Sequence, residues 1–211
     1  MKRILVTGFE PFGTDTVNPT EKIVNDLPEQ IGELRIIKLV LPVEYGRAAG
    51  EAIKAAKECQ PDAILCFGLA GGRKEITPER VAINMMDARI PDNAGRQPVD
   101  QPIDPEGENA YFSTLPVKEM VKRLSEAGYP AVLSNTAGTF VCNDLLYRML
   151  AYTQGLPAEI PCGFVHFPYC EEMERPEGAF AMKLEDEIKA AVVILQTIIT
   201  TPRRPKSPRE W

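Results

Sequence analysis

Ala63-Ile64-Leu65-Cys66-Phe67-Gly68 is the stretch that decides the fold. It has no polar side chain and no alternation, the mark of a strand covered on both faces. Such strands belong to parallel sheets sandwiched between helices. Its flanks agree: Pro61-Asp62 ends the segment before it, and Gly71-Gly72 breaks the run that follows.

Strand-like and helix-like segments alternate outward from it. Upstream, residues 44–59 have helical composition, with Ala48, Ala49, Ala52, Ile53, Ala55 and Ala56 on an apolar side. Residues 34–43 read as a strand. Asn18-Pro19 suits a helix start, with asparagine as cap and proline in the first turn. Residues 3–9 read as the first strand, ending in Gly8-Phe9-Glu10-Pro11-Phe12-Gly13.

Downstream, strands are expected at 81–86, 131–134 and 163–167, and helices at 116–127, 141–152 and 179–199. A long loop fills 91–107. This rhythm predicts an α/β protein, a single-domain three-layer α/β/α sandwich around a mostly parallel, mixed sheet. The domain is expected over 1–200. Residues 201–211, with three prolines and four basic side chains, read as a flexible tail.

Composition narrows the function. The 211 residues are 44% hydrophobic and 26% charged, an ordinary globular mixture, and the net charge is −6. An acidic chain is a poor grip for nucleic acid phosphates or anionic membranes. No apolar run reaches the roughly 20 residues that span a bilayer. The first apolar segment stops too soon for a signal peptide. The five cysteines (Cys59, Cys66, Cys142, Cys162, Cys170) are odd in number and form no Cys-x-x-Cys pair. With a single histidine in the chain, a transition-metal site has little to build on. A cytoplasmic setting and no metal are expected.

Cys142 follows Ala137-Gly138-Thr139 at the head of an expected helix, after an expected strand. Unpaired N–H groups and the helix dipole there favour a thiolate and could hold an oxyanion. The only histidine, His166, ends a strand just before Pro168. If the chemistry is nucleophilic catalysis by a Cys–His pair, no other imidazole can be the base. Glu79, directly before an apolar strand, is better placed than the surface acids to orient the ring, though pattern alone selects it weakly. Phe9 and Phe12 suit either an apolar wall for a small flat ligand or simple core packing.

These stretches closely resemble the bacterial type I pyroglutamyl peptidases. The resemblance rests on Thr7-Gly8-Phe9-Glu10-Pro11-Phe12-Gly13, Asn18-Pro19, Gly68-Leu69-Ala70-Gly71-Gly72-Arg73 and Pro78-Glu79-Arg80-Val81-Ala82-Ile83-Asn84. It continues through Asp87-Ala88-Arg89-Ile90-Pro91-Asp92-Asn93, Thr136-Ala137-Gly138-Thr139-Phe140-Val141-Cys142-Asn143 and Gly163-Phe164-Val165-His166-Phe167-Pro168-Tyr169. It implies hydrolytic removal of an N-terminal pyroglutamate (5-oxoproline) from peptides through a thioester acyl-enzyme, without metal or cofactor. Cys142 would be the nucleophile, His166 the base and acid, and Glu79 the orienting carboxylate. Arg89 would stand near the oxyanion, and Phe9, Phe12, Phe140 and Val141 would hold the ring. The resemblance also implies a homodimer or homotetramer.

One departure stands beside the nucleophile, where the family typically has a histidine and this chain has Asp144. A carboxylate there would disfavour the thiolate. It keeps open a catalytically silent metabolite- or peptide-binding protein; a phosphorylase-like enzyme on the same scaffold is the other alternative.

Overall fold

The 63–68 run is a strand, β4 (Ala63–Leu69), buried except at its end. It lies parallel to β1 (Lys2–Phe9) on one side and to β8 (Cys162–Phe167) on the other. β3 (Leu34–Leu41) pairs parallel with the far side of β1. Two short antiparallel strands close the edges, β2 (Gln30–Ile31) on β3 and β5 (Thr77–Pro78) on β8. The sheet order is β2-β3-β1-β4-β8-β5. This computed structural model describes residues 2–158 and 160–201; of the expected tail at 201–211, all but Thr201 lies outside the described residues.

Alternation along the strands sends side chains to two cores. Leu5, Ile64, Cys66, Cys162 and Phe164 meet α2 (Arg47–Cys59) and α4 (Val141–Gln154) on one face. Ile4, Val6, Leu65, Phe67, Val165 and Phe167 meet α1 (Pro19–Asp26), α3 (Val117–Glu126) and α5 (Leu184–Thr200) on the other. The expected three layers and mostly parallel sheet are present. The chain passes from β1 to β3 on one side and then crosses to β4 on the other. The ends of β1, β3 and β4 therefore border a switch point, where open α/β sheets bind ligands.

Local chemistry explains the helix starts. Asn18 Oδ1 accepts from Thr20 N at 3.0 Å and Thr20 Oγ1 at 2.8 Å, capping α1 with Pro19 in its first turn. α2 starts later than residue 44, because Gly46 takes φ +74 and gives its N–H to Asp144 Oδ2 at 2.8 Å.

Other expected elements are corrected. Residues 131–134 do not form a continuous strand but two isolated parallel bridges, Ile76↔Ala131 and Glu79↔Ser134. The bonds Ile76 N→Pro130 O, Val132 N→Ile76 O, Ser134 N→Pro78 O and Arg80 N→Ser134 O leave one rung to fill, from residue 78 to Val132 O. Residue 78 is proline and has no N–H to give, so the ladder breaks there.

The strand expected at 81–86 shrinks to β6 (Val81–Ile83), paired with β7 (Ala110–Phe112) outside the main sheet. The buried amide of Asn143 takes over beyond it, accepting from Ile83 N and donating to Ile83 O and Met85 O. The last helix begins at Leu184 rather than 179, since Gly178 takes φ +74 and β10 (Ala181–Met182) pairs with β9 (Tyr169–Cys170). Among the described residues, no helix is long and apolar enough to cross a membrane.

Candidate active site

Cys142, at the second position of α4, is partly buried. Gly68 lies opposite: a Cβ built on it would stand 2.9 Å from the Cys142 sulfur. Gly68 is in turn the cross-strand partner of His166. His166 shares the parity of Cys162 and Phe164 along β8, so it faces the same layer as α4. The sulfur and the sole imidazole thus lie on one side of the sheet, over neighbouring strands.

His166 Nδ1 lies 2.7 Å from Glu79 Oε1. The sheet sets this contact: β5 runs antiparallel to β8 with Thr77 opposite His166, and Glu79 N donates to Phe164 O at 2.9 Å. An ionised carboxylate only accepts, so the imidazole proton sits on Nδ1 and Nε2 keeps its lone pair. Glu79 is fully buried. Burial opposes its ionisation, but His166, Ser134 and Arg73 together hold the carboxyl below its ordinary range.

Arg73 is the side chain whose place here the sequence reading did not identify. Its Nη1 donates to Glu79 Oε1 at 2.7 Å and also to the Thr77 hydroxyl, and its Nη2 donates to Thr136 O at 2.9 Å. The signal was in the Gly71-Gly72-Arg73 stretch, but nothing in the spacing says which acid that guanidinium meets.

Burial works against the thiolate that the helix start favours. Burial pushes the Cys142 thiol up to about 12, Glu79's charge adds to this, and Arg73 opposes it. The Cys142 N–H at the helix start pulls the other way, and burial is the larger effect. Burial also lowers the His166 pKa, against the pull of Glu79. Burial thus favours the neutral form of both the Cys142 thiol and the His166 imidazole.

A cavity of about 100 Å³ opens on Cys142. Phe9, Phe12, Phe140 and Val141 all line it, joined by Asp15, Asn18, Val43 and Leu69, which the sequence reading did not assign to it. It sits at the switch point: Phe9 ends β1, Leu69 ends β4, and Val43 follows β3. Phe12 and Phe140 stack tilted with centroids 5.2 Å apart, and Tyr45 meets Phe140 edge-on at 5.4 Å. Among the described residues, no lysine or arginine lines this cavity.

Arg89 is exposed. Its segment is clipped to the cysteine loop by Asp87 N→Thr139 O at 3.1 Å and Thr139 Oγ1→Asp87 O at 2.7 Å. Asp144 is fully buried and holds Gly46 N and Arg148 Nε, both at 2.8 Å. It bridges α4 to the start of α2, and the hint it gave of a silent site falls away.

Fold and site together define a cysteine-type hydrolase on an α/β/α sandwich. Residues 2–201 match the family model described as pyroglutamyl peptidase, and the chain belongs to that family. It is 46% identical over 199 residues to pyrrolidone-carboxylate peptidase 1 of Caldanaerobacter subterraneus subsp. tengcongensis, covering 93% of this chain and 98% of that one. A pyrrolidone-carboxylate peptidase of a Thermoanaerobacter species is 44% identical, with 95% and 100% covered. Among solved structures, pyroglutamyl peptidase I of Bacillus amyloliquefaciens superposes with a TM-score of 0.92 at 40% identity, covering 95% of this chain and 98% of that one. The pyrrolidone carboxyl peptidase of Thermococcus litoralis gives 0.89 at 38% identity, with 94% of each chain covered.

Proposed function

We propose that Cys142, His166 and Glu79 carry the family's pyroglutamyl peptidase reaction in this chain. Cys142 attacks the carbonyl of an N-terminal 5-oxoproline while His166 Nε2 takes the thiol proton. Glu79 holds the ring in the tautomer that leaves Nε2 free. The imidazolium then protonates the leaving amine and the thioester forms; the neutral imidazole activates water, and 5-oxoproline is released. The N–H of Cys142, which faces its own sulfur, is one donor for the oxyanion, with Arg89 as the side-chain donor.

The observation that carries this reading is the shared cavity. The same small space is lined by the candidate nucleophile and by Phe9, Phe12, Phe140 and Val141. An N-terminal lactam has no ammonium to pair with a carboxylate, and aromatic walls suit its flat, neutral ring. The test is release of a reporter amine from its pyroglutamyl conjugate. Cys142→Ser should lose turnover by a far larger factor than it loses affinity; near-native turnover in that variant overturns the assignment.

The chain works, in this reading, on pyroglutamyl peptides in the cytoplasm as a homodimer or homotetramer. Five free thiols support a reducing compartment. The assembly rests on family membership, and light scattering of the purified protein decides it.

A further inference from the structure

We propose that Arg73 is a positioning residue that separates the two effects of Glu79 on His166, balancing the carboxylate's charge while leaving its hydrogen bond to orient the ring. Both partners converge on one oxygen. His166 Nδ1 and Arg73 Nη1 each lie 2.7 Å from Glu79 Oε1. Glu79 is fully buried, His166 nearly so, and Arg73 is about one quarter exposed. A buried carboxylate whose only near partner is an imidazole would draw a proton onto that ring and disable it as a base. A fixed guanidinium on the same oxygen weakens that pull.

The same fork registers three segments. Besides Glu79, it holds the Thr77 hydroxyl on β5 and Thr136 O in the loop that leads to Cys142. Arg73 itself sits in the turn after β4, anchored by Arg73 N→Ala70 O. One side chain therefore ties the orienting acid, the strand beside the base and the nucleophile's loop. Among the described residues, the charged groups that act on His166 are Glu79 from beyond β5 and Arg73 from this turn, and Cys142 from α4 lies on the same side of the sheet. Arg73 lowers the pKa of both the imidazole and the thiol, so its loss raises both.

His166 is the only histidine in the chain, so an isotope-labelled imidazole gives one NMR titration and needs no activity. We expect Arg73→Gln to move that titration to higher pH. Arg73→Lys keeps the charge but not the fork, so its titration should stay near wild type. In kinetics, both variants should lose kcat, by about 100-fold for Gln through misplacement of the reacting groups, with KM changed far less. The acid limb of kcat/KM should climb in the Gln variant only. An unmoved imidazole titration in folded Arg73→Gln overturns the proposal; should that variant fail to fold, an upward shift in Arg73→Lys as large as full loss of the charge would produce does the same. The kinetic arm rests on the peptidase reading and the NMR arm does not, so failure of one is distinguishable from failure of the other.

Discussion

Gly68 and Cys142 occupy one space: a Cβ at position 68 would stand 2.9 Å from the cysteine sulfur and 2.6 Å from Phe164 Cζ. The strand must come this close for His166, opposite Gly68, to share a site with a side chain from α4. Gly68→Ala should therefore displace the sulfur or the Phe164 ring. The expected cost is about 1–3 kcal/mol of stability, as for other overpacked cores. Turnover should fall by about 100-fold. Melting curves and kcat on a pyroglutamyl reporter check both, and a native kcat in the alanine variant would show that the contact is not needed.

Asn93 lies outside the cavity yet fastens its rim. Its Nδ2 donates to Glu10 Oε1 and Pro11 O, both at 3.0 Å, and its Oδ1 accepts from Gly13 N at 3.4 Å. These bonds hold the loop that carries Phe12. Asn93→Ala loosens a wall of the ring pocket without touching the Cys142–His166 pair. Loss of about 1 kcal/mol of hydrogen bonding should raise KM about fivefold at nearly constant kcat. A fall in kcat with KM unmoved would place Asn93 in the chemistry instead.

Asp144 shows where sequence and structure part. Its place two residues after Cys142 suggests a carboxylate near the thiol, but two steps along a helix turn a side chain by about 200°, to the opposite side. The structure sends it to Gly46 N and Arg148 Nε. Asp144→Ala should cost about 2–3 kcal/mol through the loss of charge-assisted bonds, measured by urea unfolding, with kcat close to wild type. A large gain or loss in turnover at unchanged stability would return the carboxylate to the site.

The layered fold was legible because it rests on burial on both faces of strands such as 63–69, which leaves a plain mark in composition. Cys142, His166 and Phe9 were legible because each falls at the end of a strand or the start of a helix, and Phe12 because it lies in the glycine-flanked loop that follows β1. Arg73 was not, because its meeting with Glu79 depends on the antiparallel edge strand β5, a two-residue element with no periodicity to read. The break at 131–134 was hidden for a related reason: the cause, Pro78, sits on the partner segment. The thiol shows the same limit: the helix start that lowers its pKa is visible in sequence, and the burial that raises it is not.

Glu187, in the first turn of α5, is fully buried, and among the described residues neither of its oxygens has a hydrogen-bond partner. Burial, with Glu172 adding repulsion, raises its pKa from the ordinary 4.5 to about 9. The folded state thus binds this proton more tightly than the unfolded chain. The stabilisation is complete below the unfolded value of 4.5 and is lost as pH climbs toward about 9. Across that window the group removes on the order of 1.4 kcal/mol of stability per pH unit as an upper bound. Urea unfolding measured over the window should show wild-type stability declining with pH, and Glu187→Gln, which cannot ionise, should flatten the slope and be the more stable form at the alkaline end. Parallel slopes in the two proteins would mean that Glu187 is solvated or paired when folded.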